Sequence, residues 1–113
     1  MLNKDEIEIL WTTPFIKRWK SFGYKEQDKE ELEEILTDNF DLYPIVQGTG
    51  GVRKLRFPLP GNKGKRGGSR ICFYYSSNDG YRIYLLVVFS KQEKDNLSGK
   101  EKKMLKAIVK TLN

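Results

Sequence analysis

The residues best suited to chemistry in this chain are cations set among glycines and strand-forming residues. From Gly48 to Tyr75 the sequence runs GTGGVRKLRFPLPGNKGKRGGSRICFYY and holds Arg53, Lys54, Arg56, Lys63, Lys65, Arg66 and Arg70. No carboxylate residue occurs between Leu42 and Asn78. Seven of the 21 basic residues lie in this stretch, leaving 14 to face 15 acidic ones, so the net charge of +6 originates here. A field concentrated in this way attracts polyanions and holds phosphates more selectively than a uniformly basic surface.

Several chemistries are excluded by what the chain lacks. Without histidine there is no Ser/His/Asp or Cys/His machinery, nor the usual zinc ligands. The single cysteine, Cys72, rules out an internal disulfide and a cysteine-rich metal site. The loop GNKGKRGGS does not have the spacing of a phosphate-binding loop, and strand patterns flank it on both sides instead of a strand and a helix. The basic region also has no clustered carboxylates to hold metal ions for phosphodiester cleavage. What remains is a site of cations needing no cofactor and no metal. RNA supplies its own nucleophile, the 2′-hydroxyl. The protein then has to position the strand, stabilise a pentavalent phosphorane and move protons. Arginine forks suit phosphate oxygens. A lysine crowded by other cations gives up its proton more readily and can act as a base, and Lys54 stands between Arg53 and Arg56. On these grounds alone, phosphate binding without chemistry stays open as well.

The elements that must place these cations are legible in order. Ile7 to Thr12 is rich in β-formers and predicts a strand. Thr13 followed by Pro14 predicts an N-cap and first helical residue, with Phe15, Ile16, Trp19 and Phe22 on one apolar face and Gly23 as the stop. A second helix is expected from Glu26 to Asn39, capped by Asp28, with Leu32, Ile35 and Leu36 inward and an acidic outer face. Val52 to Pro58 alternates as a strand that sends Leu55 and Phe57, with Arg53, to the core and Lys54 and Arg56 to an open face. Ser69 to Ser76 repeats the pattern, with Ile71, Phe73 and Tyr75 inward and Arg70, Cys72 and Tyr74 on the other side. A slip of one residue would bury arginine, so the register is strict. Lys54, Arg56 and Arg70 are thereby expected to converge on one solvent-facing surface of an antiparallel pair.

Asn78-Asp79-Gly80 signals a turn into a strand from Tyr81 to Ser90. Ser98 and Glu101 form a capping-box signature ahead of a helix from Gly99 to Leu112, whose Met104, Leu105, Ile108, Val109 and Leu112 share a face. The order β-α-α-β-β-β-α predicts one α+β domain over residues 1–113, with helices on one side of an antiparallel sheet. The longest apolar run, Ile83 to Phe89, is too short to span a membrane. The N-terminus has no signal-peptide pattern, which makes a cytoplasmic location the expectation.

The run GTGGVRKLRF, the loop GNKGKRGGSR, the strand ICFYY and the segment YLLVVFSKQEKDNLS together resemble the RelE/ParE toxin superfamily, most closely the HigB branch of RelE-type toxins. The resemblance implies a small α+β toxin that enters the ribosomal A site and cuts mRNA through the 2′-hydroxyl. It also implies a co-encoded antitoxin, of the helix-turn-helix HigA type. By this likeness Lys54 is the base, Arg56 a phosphate ligand and Arg70 the stabiliser of the transition state. Lys91 keeps half of a basic pair, while Gln92 stands where the family archetype has an arginine and Ser98 where it has a tyrosine. Lys91 or Lys94 is then the source of the remaining charge, and Tyr74 or Tyr84 the stacking partner for a base. Arg53, Lys63, Lys65 and Arg66 fall to gripping messenger and ribosomal RNA. Two other readings stand beside this one: a ParE-like toxin acting on gyrase, and an RNA-binding module without catalysis.

Overall fold

The computed structural model describes residues 6–61, 68–78 and 80–112. Strand β1 (Ile7–Trp11) leads into helix α1 (Thr13–Ser21), and helix α2 (Glu26–Asn39) follows after a short turn. A short 3-10 turn at Phe40–Leu42 precedes β2 (Arg53–Phe57), β3 (Ser69–Ser76), β4 (Tyr81–Ser90) and the last helix, α3 (Gly99–Leu112). The four strands lie in the order β1-β4-β3-β2. The chain is α+β as expected, and three of its strands form the expected antiparallel meander. The sheet as a whole is mixed, because β1 pairs with β4 in parallel, Ile9 opposite Ile83. Two helices and two strands intervene between those partners, enough chain for a parallel return that no short turn could make.

Local chemistry explains most of the boundaries. α1 stops where Gly23, at φ +86°, takes the left-handed conformation that other residues avoid. Its N-cap is Thr12, one residue earlier than the sequence suggests, with Pro14 in the first turn. The Thr12 hydroxyl donates to Leu85 O at 2.6 Å and so ties the helix to β4 instead of capping it. α2 begins at Glu26, and Asp28 acts from the third helical position: its carboxylate accepts the Lys25 N–H at 2.8 Å. α3 has the capping box that its sequence implies. Ser98 Oγ accepts from Glu101 N at 3.1 Å and Glu101 Oε1 accepts from Ser98 N at 2.8 Å.

Helices cover both faces of the sheet, not one. Phe15 and Trp19 of α1 and Leu32 and Leu36 of α2 pack with Leu55, Phe57, Ile71, Phe73, Ile83 and Leu85. Burying each such side chain is worth about 1.5–3 kcal/mol. On the reverse face Leu105 and Val109 of α3 pack with Val52, Cys72, Phe89 and Leu97. A bulge in β4 makes both cores possible. Phe73 pairs with Leu85 and Cys72 with Val87, so Leu86 is the extra residue and the side-chain parity flips there. Upstream of the bulge Ile83 and Leu85 serve the first core; downstream of it Val88 does so, while Phe89 turns to the second. α3 buries only part of its expected apolar stripe. Met104 and Ile108 remain 58% and 40% exposed. Among the described residues no helix is long and apolar enough to cross a membrane.

Candidate nucleic-acid interface

The three cations share one sheet face with the predicted parity, but they do not share one open surface. β2 and β3 pair antiparallel with Lys54 opposite Cys72, Leu55 opposite Ile71 and Arg56 opposite Arg70. Since Leu55 and Ile71 enter the first core, Lys54, Arg56, Arg70 and Cys72 lie on the other face, the one that carries α3. Arg56 is exposed and Lys54 half-buried. Directly opposed residues on one face bring their Cβ atoms to about 4.5–5.5 Å, and like charges placed so are destabilising. Arg56 and Arg70 are placed so.

Arg70 is not on the open surface. It is only 2% exposed: the sheet face expected to be open carries α3 against Cys72 and Phe89, and the turn after β4 reaches Arg70 through Asp95. Its guanidinium Nη2 donates to Asp95 Oδ1 at 3.3 Å, and the Asp95 carboxylate is itself 64% exposed. Beside it Lys54 Nζ donates to Asn96 Oδ1 at 3.1 Å. Asp95 and Asn96, which the sequence reading does not single out, thus lie against two of the candidate cations. Their signal lies in the order of the chain: they stand in the turn after β4, which pairs with the strand carrying Arg70.

Other candidates divide by position. Arg53 has the core parity read for it, so it points away from Lys54 and does not crowd it. Its Nη1 donates to Tyr43 O at 2.6 Å and to Asp41 O at 3.3 Å, which clips the connector before β2 to the strand. That arrangement makes Arg53 a structural cation. Lys91 is exposed on the turn after β4, where its N–H donates to Gly68 O at 3.1 Å, just beyond the row of Arg70. Gln92 is exposed on the same turn. Lys94 lies 4.9 Å from the centroid of Phe89, the residue paired with Arg70 on the far side of β3, and forms an ion pair with Glu101. Tyr74 and Tyr84 are cross-strand partners and both half-buried. Tyr74 packs against the second core. Ser98 is the N-cap of α3. Lys63, Lys65 and Arg66 lie outside the described residues.

The turn is held at both ends by charges and caps. The Glu93 carboxylate accepts the Ser90 N–H at 3.0 Å and pairs with Arg18, interactions that hold its carboxyl below the usual range. Glu101 is lowered likewise, first by the hydrogen bond from Lys94 and then by the Ser98 N–H. Burial pushes the Cys72 thiol up to about 12 despite Lys54 and Lys94 nearby, so the thiol is a packing group and not a nucleophile.

Fold and face together define a small α+β domain that gathers cations across two adjacent strands beside a hydrogen-bonded turn. Residues 46–113, more than half of the chain and including all of β2, β3, β4 and α3, match the family model for the RelE toxin of the RelE / RelB toxin-antitoxin system. The chain belongs to the RelE toxin family and is a toxin of a toxin–antitoxin system, with an antitoxin as its partner.

Proposed function

We propose that this toxin is an endoribonuclease of the HigB branch that cuts mRNA in the A site of the translating ribosome. The observation that carries the proposal is the direct opposition of Arg56 and Arg70 on one sheet face, with Lys54 on the same face. Stability alone disfavours that opposition. An anionic phosphate shared by the two arginines turns the repulsion into binding, and functional sites are where local rules of this kind are broken.

In the proposed reaction the 2′-oxygen attacks the adjacent phosphorus. Its proton passes to Lys54 Nζ, the P–O5′ bond breaks, and a cyclic phosphate and a 5′-hydroxyl result. Arg56 holds the phosphate from the exposed side. Arg70 stabilises the developing charge from beneath, where low exposure strengthens its field. Lys91, on the exposed turn, protonates the leaving oxygen. Lys94 and Tyr74 contact the RNA on either side. The partners are the ribosome, its mRNA and a helix-turn-helix antitoxin, and the site of action is the cytoplasm.

The test is induced expression in bacteria with mRNA 5′-ends mapped with and without translation. Translation-dependent cuts within codons bearing 5′-hydroxyl ends are expected. Intact transcripts with arrested DNA replication would overturn the proposal in favour of a gyrase poison. RNA binding without cleavage would reduce the cations to phosphate ligands.

A further inference from the structure

The turn after β4 places two acceptors on two cations of the proposed site. Asp95 Oδ1 lies 3.3 Å from Arg70 Nη2, and Asn96 Oδ1 lies 3.1 Å from Lys54 Nζ. Adjacent residues thereby place a side-chain oxygen on each of two candidate cations. We infer that Asp95 is a positioning residue that occupies the phosphate's place on Arg70 in the free protein, so that RNA binds by exchanging its own anion for this carboxylate. The inference rests on the proposed RNA site and adds the group that RNA has to displace.

Three features support an exchange over a permanent pair. The contact is long for a charge-assisted hydrogen bond, which usually spans about 2.7–2.9 Å. Its partners are unequally exposed, 3% for Arg70 and 64% for Asp95. The exposed carboxylate therefore returns to water at little cost. An arriving phosphate offers the guanidinium an anion in the carboxylate's place. The third feature is mechanical. The turn is fixed on one side by the Ser90–Glu93 hydrogen bonds and on the other by buried Leu97 and the Ser98–Glu101 capping box. Between those anchors Asp95 and Asn96 are exposed, so their side chains can leave without unfolding α3.

The experiment is fluorescence anisotropy of the full chain with a labelled 2′-O-methyl RNA oligonucleotide, which binds without being cut. Asp95→Asn is expected to tighten binding by about fivefold, the ceiling for a pair with an exposed partner. Asp95→Glu should bind like the parent protein, and Glu34→Gln, an exposed carboxylate on α2, should change nothing. Inorganic phosphate should raise the thermal midpoint of Asp95→Asn more than that of the parent, a readout that a purely structural carboxylate would not move. Unchanged or weaker binding by Asp95→Asn, or equal tightening by Glu34→Gln, overturns the inference. Arg56→Ala in the same assay separates the two levels. If it fails to weaken binding, the RNA site itself is wrong; if it weakens binding while Asp95→Asn does not tighten it, only the exchange is wrong.

Discussion

Arg56 and Arg70 differ in what their removal should do, although they face each other across β2 and β3. Arg56 is exposed, so Arg56→Ala relieves repulsion and should leave the thermal midpoint unchanged or slightly raised. Its effect on cleavage should be large, about 10²–10³-fold, the usual cost of deleting one donor aimed at developing charge. Cleavage rates and melting curves on the same preparation check both halves. Cys72 offers a second residue-scale test. Its thiol, at about 12 because of burial, should resist alkylation at pH 8 until the protein unfolds. A raised thiol value gives stability that is complete below about pH 8.5, the unfolded thiol's value, and declines as pH rises toward the folded one. The account of this residue fails if alkylation proceeds at the rate of a free thiol in native protein.

At the level of elements, the sequence was most legible where a side-chain pattern met a definite stop. α2, β3, β4 and α3 begin and end where alternation, the turn signal and the capping box place them. The differences lie in the N-caps of α1 and α2. Two threonines precede Pro14, and a proline in the first turn does not choose between them. Asp28 satisfies a backbone N–H from inside the helix, a role that composition alone does not separate from capping. The cap at Ser98 should matter: Ser98→Ala should cost about 1 kcal/mol of stability, measured by denaturant unfolding. Gly68 should matter more. It sits at φ +62°, and an added Cβ would lie 2.5 Å from Phe57 O. Gly68→Ala should therefore disturb the β2–β3 pairing that aligns the arginines, with a loss above about 1 kcal/mol. The lowered carboxyls of Glu93 and Glu101 give stability present above about pH 4.3, the unfolded glutamate value. It is lost as pH falls through their lower folded values. Acid should loosen the turn after β4, visible as faster amide exchange there than in β3.

Across the whole molecule, the sequence carries one signal for the second core. The continuous apolar run from Ile83 to Phe89 marks a strand buried on both faces, and β4 is such a strand, with a core on either side. Read that way, α3 belongs opposite α1 and α2, and the face holding Arg70 is partly covered. The burial of Arg70 itself was not legible, because it depends on where the turn carrying Asp95 comes to rest and no local pattern specifies that. The cationic face is nonetheless what strict register predicts, since a slip of one residue would drive Arg56 and Arg70 into the aromatic core. Single-turnover cleavage of mRNA on stalled ribosomes tests most directly whether this face performs chemistry. Lys54→Ala and Arg56→Ala should each lose at least about a hundredfold in rate at saturating ribosomes, with the fold intact. Equal rates at saturation, with only the ribosome concentration needed for half-maximal cleavage raised, would show that the cations bind RNA and do no more.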